Sequence, residues 1–162
     1  MKAITIREPY ASCIAAGAKL IENRASGTTY RGPLLIHTSQ QIDRPACNNN
    51  LIRRTLWGRT DYTDTATGYM IGDFNFGQVI AVADLVDVHD AETIPVLTGE
   101  PGTCCEPWGQ RLHGSRTAKH LVLANVRRLR QPVHARGALG LWTPTDDVIA
   151  CVDLETTRAG AR

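Results

Sequence analysis

The segment Gly17-Ala18-Lys19-Leu20-Ile21-Glu22-Asn23-Arg24 places a lysine, a glutamate and an arginine at spacings of three and two. If residues 22–24 run extended, Glu22 and Arg24 share one face, and Lys19 reaches them from the end of a preceding helix. Such a trio can orient the polar edge of a ligand, or set a proton acceptor and donors around a reacting carbonyl. The same spacing also describes a surface ion-pair network beside a helix end.

Other side chains capable of chemistry lie in the same half of the chain. Arg31, just before Gly32, offers a planar fork of donors suited to phosphate or a base edge. His37 follows Leu34-Leu35-Ile36, a setting for a satisfied structural histidine or for one that moves a proton. Further on, Arg127-Arg128-Leu129-Arg130 follows an apolar run and can hold a phosphate backbone or simply solvate a strand end. Arg7 and Tyr10 sit just ahead of the motif.

The five cysteines, Cys13, Cys47, Cys104, Cys105 and Cys151, are odd in number and contain no C-x-x-C pair, which argues against a disulfide framework. Cys104 and Cys105 with His113 or His120 have the ligand types of a zinc site. Zinc sites usually separate their cysteines by two to four residues, so reduced, partly buried thiols are expected, with no metal and no cofactor. Neither a G-x-G-x-x-G turn nor a G-x-x-x-x-G-K-[ST] loop occurs.

The elements that must position these residues follow from pattern. Lys2-Ala3-Ile4-Thr5-Ile6-Arg7 alternates like a half-buried strand. Pro9 suits a first helical turn, Tyr10, Cys13 and Ile14 recur at near-helical spacing, and Gly17 supplies a stop. Leu34 to Thr38, Gln78 to Val88 and His120 to Arg127 read as strands, and Gln40 to about Trp57 reads as an interrupted surface helix. The proline and acids of Pro144-Thr145-Asp146-Asp147 open a helix from about Asp146 to Thr156. Residues 60–77 and 89–114 read as polar loop insertions. Strands without regular βαβ alternation, joined by short helices, predict a single α+β domain over 1–162 with a mostly antiparallel sheet or barrel.

With 162 residues, 43% of them hydrophobic and 21% charged, the chain has the composition of one globular domain. No apolar run is long enough for a membrane span and the N-terminus has no secretion-signal pattern, so a soluble cytoplasmic protein is expected. The net charge of +2 hides opposed blocks. Residues 1–60 hold nine basic and three acidic side chains, residues 61–106 nine acids and no Lys or Arg, and residues 107–145 seven bases and no acid. Either the basic blocks form a patch for a polyanion, or neighbouring blocks of opposite sign neutralise each other.

Ile4 to Ser12, the Gly17-x-Lys19-x-x-Glu22-x-Arg24 motif, Tyr30 to His37, Gly77 to Leu85, and Pro132 with Gly137-Ala138-Leu139-Gly140-Leu141-Trp142 form one further pattern. Together these segments resemble the ASCH domain, the activating-signal-cointegrator homology family. The resemblance covers nearly the whole chain. It implies a PUA-like fold: a small β-barrel with flanking helices and a cleft, related to RNA-binding modules.

It also implies several activities. The family includes proposed RNA binders and coactivator modules, hydrolases that remove acyl groups from N4-acylated cytidine, and a ribonuclease. In the compact amidohydrolase branch the motif lysine pairs with a threonine three residues later. Lys19 matches that lysine, but Glu22 stands where the threonine would be, with Thr28 and Thr29 further along. Tyr10 replaces the family's tryptophan and can stack on a base or pack on the core.

The leading expectation is recognition of RNA or a modified nucleotide in a cleft lined by Lys19, Glu22 and Arg24, with Arg7, Tyr10, Arg31 and His37 nearby and Arg127, Arg128 and Arg130 continuing the basic face. The alternatives are an amidohydrolase of a modified pyrimidine nucleoside with Glu22 activating water, a ribonuclease in which Lys19 or His37 moves the 2′-hydroxyl proton, and a protein-interaction module with a protein partner. The acidic segment 61–106 would bound the RNA track or mask the cleft.

Overall fold

A computed structural model describes residues 1–57, 74–95, 97 and 100–159. Strand β1 (Lys2–Glu8) leads into helix α1 (Tyr10–Ala15), strand β2 (Ile21–Arg24), strand β3 (Gly32–Ile42) and the short helices α2 (Arg44–Cys47) and α3 (Asn50–Trp57). Strand β4 (Gln78–Asp90) precedes four two-residue strands: β5 (Thr93–Ile94), β6 (Gly102–Thr103), β7 (Leu112–His113) and β8 (Arg116–Thr117). The chain closes with β9 (Lys119–His134), β10 (Leu141–Trp142) and helix α4 (Asp146–Ala159).

Among the described residues, six strands form one curled, mixed sheet in the order β10-β1-β3-β4-β9-β2. In it β1 and β3 run parallel and the other neighbours antiparallel. The α+β expectation holds, as a half-barrel whose edges are β10 and β2. The long strands owe their curl to irregular pairing: the β4–β9 register shifts three times, and Asn125 on β9 has a φ of 49°.

Alternation explains the core. Ile4, Ile6, Leu34, Ile36, Ala81, Leu85 and Leu123 face α1, whose Ala11, Ile14 and Ala15 cover them. Ala3, Leu35, Val82 and Leu129 face the other way, against Val152 of α4. Trp108 covers a third cluster made of Cys13, Ala46 and Ile52. The interrupted-helix reading of residues 40–57 is corrected at its start, because β3 runs on to Ile42 before the Asp43 side chain caps α2 by accepting from the Ala46 amide at 3.0 Å.

Of the two expected insertions, the first, 60–77, lies outside the described residues up to position 73. Residues 89–114 carry β5, β6 and β7 and a tight turn rather than a featureless loop. No helix among the described residues is long and apolar enough to cross a membrane.

Candidate functional site

The motif lysine is delivered by a helix ending. Gly17 adopts a φ of 76°, a left-handed conformation that costs glycine little, and the amides of Ala18 and Lys19 both donate back to the Cys13 carbonyl. The chain then enters β2, which pairs with β9 through Glu22 opposite Leu121 and Asn23 opposite His120. Pleating sends Asn23 to one side of β2 and Glu22 and Arg24 to the other.

There the three charged side chains meet. Lys19 Nζ donates to Glu22 Oε2 at 2.8 Å and also to the Ile21 carbonyl. Arg24 Nε lies 3.1 Å from the other carboxylate oxygen, Glu22 Oε1. Burial is deep for charged groups, at 2% exposure for Lys19 and 8% for Glu22, so this is a built ion cluster and not a solvated surface pair. Tyr10 places its ring 5.8 Å from Lys19 Nζ. Arg24 Nη2 donates to the Thr5 carbonyl at 2.7 Å, so a side chain ties β2 at one edge of the sheet to β1 near the other.

The cluster lies in a cleft of about 840 Å³ lined also by Thr5, Ile6, Arg7, His37, Asp43, Gln110, His113 and Arg136 to Gly140. His37 Nε2 lies 3.0 Å from the Ala135 carbonyl and so carries the proton, and its ring meets Trp142 edge-on at 5.5 Å. Its Nδ1 is buried without a partner among the described residues. Burial lowers the His37 pKa against the opposing pull of backbone hydrogen bonds, which keeps the ring neutral and Nδ1 an acceptor. Gly137 is required beside it, since a Cβ there would come within 2.5 Å of His37 Cε1 and 2.8 Å of both His37 Nδ1 and Thr5 Oγ1.

Six of the sequence-derived residues therefore converge on the cleft: Arg7, Tyr10, Lys19, Glu22, Arg24 and His37. Four do not line it. Arg31 donates to the Thr28 and Tyr30 carbonyls and sits 3.6 Å from Asp87. Arg127, Arg128 and Arg130 are exposed on β9 while the intervening Leu129 is buried in the second core cluster.

Asn23, Gln110 and Arg136 join the site without a sequence pattern that singles them out; His113, weighed above only as a metal ligand, and the Gly137–Gly140 stretch, noted above only for the resemblance, line it too. The loop residues lie far away in the chain, and only the glycines of the last stretch hint at close approach. The acids of β4 partly bear out mutual neutralisation of the charge blocks. Asp90 pairs with Lys119 at 2.6 Å, and Asp87 faces Arg31 and His89.

The aliphatic hydroxyls in the cleft are engaged. Thr5 Oγ1 accepts from Trp142 Nε1, and Ser39 Oγ bridges the Gln41 amide and carbonyl. Thr28 and Thr29 line a separate depression with Lys119 and His89. Apart from the cleft, among the described residues, His89, Cys104, Cys105 and His120 form one cluster of metal-ligating side chains.

The family model described as ASCH domain matches residues 4–133. Among solved structures, the chain is similar to ASCH from Zymomonas mobilis, with 12% identity, 94% of each chain covered and a TM-score of 0.52. Two mutants of that protein, one Tyr-to-Phe and one Ser-to-Ala, match with the same identity and TM-score, covering 94% of this chain and 96% and 94% of theirs. No curated protein matches the chain in sequence.

Proposed function

The chain belongs to the ASCH domain family, and from that membership and the cleft we propose that it binds RNA or a modified nucleotide through Lys19, Glu22 and Arg24. The observation that supports this most is the Glu22 carboxylate, each of whose oxygens already meets one cation and keeps a further lone pair for a ligand donor. An exocyclic amino group or a ribose hydroxyl fits that acceptor. Arg7 and the free donors of Arg24 suit phosphate, and Tyr10 offers a ring for stacking.

A hydrolytic reading gains less. Lys19 has no hydroxyl partner at the third position, and Thr5 and Ser39 are held by hydrogen bonds of their own. Hydrolysis would run through a water activated at Glu22.

The test is a titration of single-stranded RNA, cytidine and N4-acetylcytidine at two salt concentrations, with product analysis. Salt-sensitive RNA binding that weakens in Lys19→Ala and Glu22→Gln without product supports recognition. Arg127→Ala and Arg130→Ala should leave nucleoside affinity unchanged. If the β9 arginines hold a phosphate track, each lowers the salt slope for longer RNA by about 0.7. Turnover of N4-acetylcytidine that Glu22→Ala abolishes transfers the site to the hydrolase reading. Binding of neither ligand, with a stable protein partner captured instead, overturns both.

A further inference from the structure

We propose that His89, Cys104, Cys105 and His120 form a structural zinc site that pins one wall of the cleft. The four ligand atoms lie within 4.8 Å of one another. Cys105 Sγ is 3.4 Å from His89 Nε2, and Cys104 Sγ is 3.4 Å from His120 Nδ1 and 3.8 Å from His89 Nε2. A tetrahedral ion with Zn–S of about 2.3 Å and Zn–N of about 2.0–2.1 Å separates its sulfur and nitrogen ligands by about 3.5 Å. The cluster has that spacing.

The orientation of each ligand supports the assignment. His120 Nε2 lies 2.9 Å from the Gln110 carbonyl and therefore carries the hydrogen, turning the Nδ1 lone pair toward Cys104. His89 Nδ1 lies 2.9 Å from Asp87 Oδ2, which leaves its Nε2 lone pair toward both thiols. A carboxylate or carbonyl holding the far nitrogen is the usual support of a zinc-bound imidazole. The Glu92 amide donates to Cys104 Sγ at 3.1 Å, which fixes the position of that sulfur beside the two rings.

Local backbone explains how adjacent cysteines serve one ion. Cys105 has a φ of 66°, which turns its side chain back beside that of Cys104. The turn is closed by the Gly109 amide donating to the Cys105 carbonyl at 2.8 Å, and a Cβ at Gly109 would collide with the Cys104 carbonyl at 2.2 Å. The two histidines face each other across the β4–β9 ladder. Two thiolates balance the charge of Zn²⁺, and four protein ligands leave no open position, so the site is structural and not catalytic. The pinned turn carries Trp108 and Gln110, which hold Asn23 of the motif strand.

The experiment uses the full chain, purified with a non-chelating reductant. We expect about one zinc per chain and, after exchange with Co²⁺, a thiolate charge-transfer band with the intense visible absorption of a tetrahedral centre. Cys104→Ser and Cys105→Ser should each lower Zn²⁺ affinity at least 100-fold, Asp87→Asn should lower it 10- to 100-fold, and Cys151→Ser should leave it unchanged. To keep the test independent of whether the cysteine variants fold, the wild type is also followed by hydrogen exchange. Chelation should accelerate exchange of the Gln110 amide before global unfolding. No binding at micromolar free Zn²⁺, a six-coordinate Co²⁺ spectrum, or metal retained at full affinity in both cysteine variants would overturn the site.

Discussion

Asn23 and Gln110, 87 positions apart, are joined by a 2.9 Å hydrogen bond from the Gln110 amide to the Asn23 side-chain oxygen, while the Asn23 amide group donates to the Trp108 carbonyl at 2.9 Å. The motif strand is thus fixed on one side by a loop while it presents Glu22 and Arg24 on the other. Asn23→Ala leaves two backbone groups in a half-buried site without partners, a loss of about 1–3 kcal/mol. Chemical denaturation should show that loss, and nucleotide affinity should fall with it because β2 is no longer held in place. An unchanged denaturation midpoint would refute the clamp.

The Lys19–Glu22 pair should behave as a buried unit. Lys19→Met removes one partner from a 2.8 Å contact between side chains that are 3% and 11% exposed, and should destabilise the fold by about 3–5 kcal/mol. The double variant Lys19→Met/Glu22→Leu should recover part of that loss, since the deeply buried carboxylate goes with its lysine and the remaining cation, Arg24, is 27% exposed and still donates to the Thr5 carbonyl. Both variants should lose ligand binding. A double-mutant cycle in urea measures the coupling, and strictly additive losses would contradict it.

Much of this site is legible in the sequence. The motif spacing gives a shared face as soon as residues 21–24 are extended, and alternation finds β1, β4 and β9. Contact between distant segments is not legible in the same way. Trp108 reaches Cys13 and Ile52, and His89 meets His120 only through the β4–β9 register. Strand pattern also fails where pairing slips: register shifts and the positive φ of Asn125 reset which residues face out, so pattern alone does not place the basic run on β9 relative to the cleft. The placement of the adjacent cysteines is not legible for a similar reason, because the left-handed turn at Cys105 sets where the two sulfurs lie relative to each other.

Glu8 should give the protein a distinct pH response. Burial raises its pKa from 4.5 to about 7, with the Ser12 amide and hydroxyl and the nearby Arg128 opposing the shift. Between those values the folded state holds a proton that the unfolded chain has released, so stability falls as pH rises from about 4.5 to 7, by on the order of 3 kcal/mol. Glu8→Gln should remove this slope and stabilise the protein at pH 8. The lowered pKa of His37 acts oppositely, with stability lost as pH falls below about 6.5, so the difference between wild-type and Glu8→Gln denaturation curves at each pH isolates Glu8. A flat difference would refute the assignment.

Gly137→Ala tests the His37 wall. The added Cβ must displace the imidazole or the Thr5 hydroxyl, a strain of about 1–3 kcal/mol. Thermal unfolding should register it, and nucleoside affinity should drop further than the Tm shift alone explains. Binding at wild-type strength would show that the ring's position is irrelevant to the ligand.

Among the described residues, strand β10 pairs with β1 at Ala3 and Ile4 alone, and beyond that pairing Thr5, Ile6 and Arg7 line the cleft, where the Arg24 guanidinium takes the Thr5 carbonyl. Main-chain groups therefore form part of the cleft's surface. A ligand edge bound there would be recognised by atoms that every residue type carries. Alanine scanning would pass over such contacts, and side chains at positions 5–7 could change identity while this share of the recognition stayed the same.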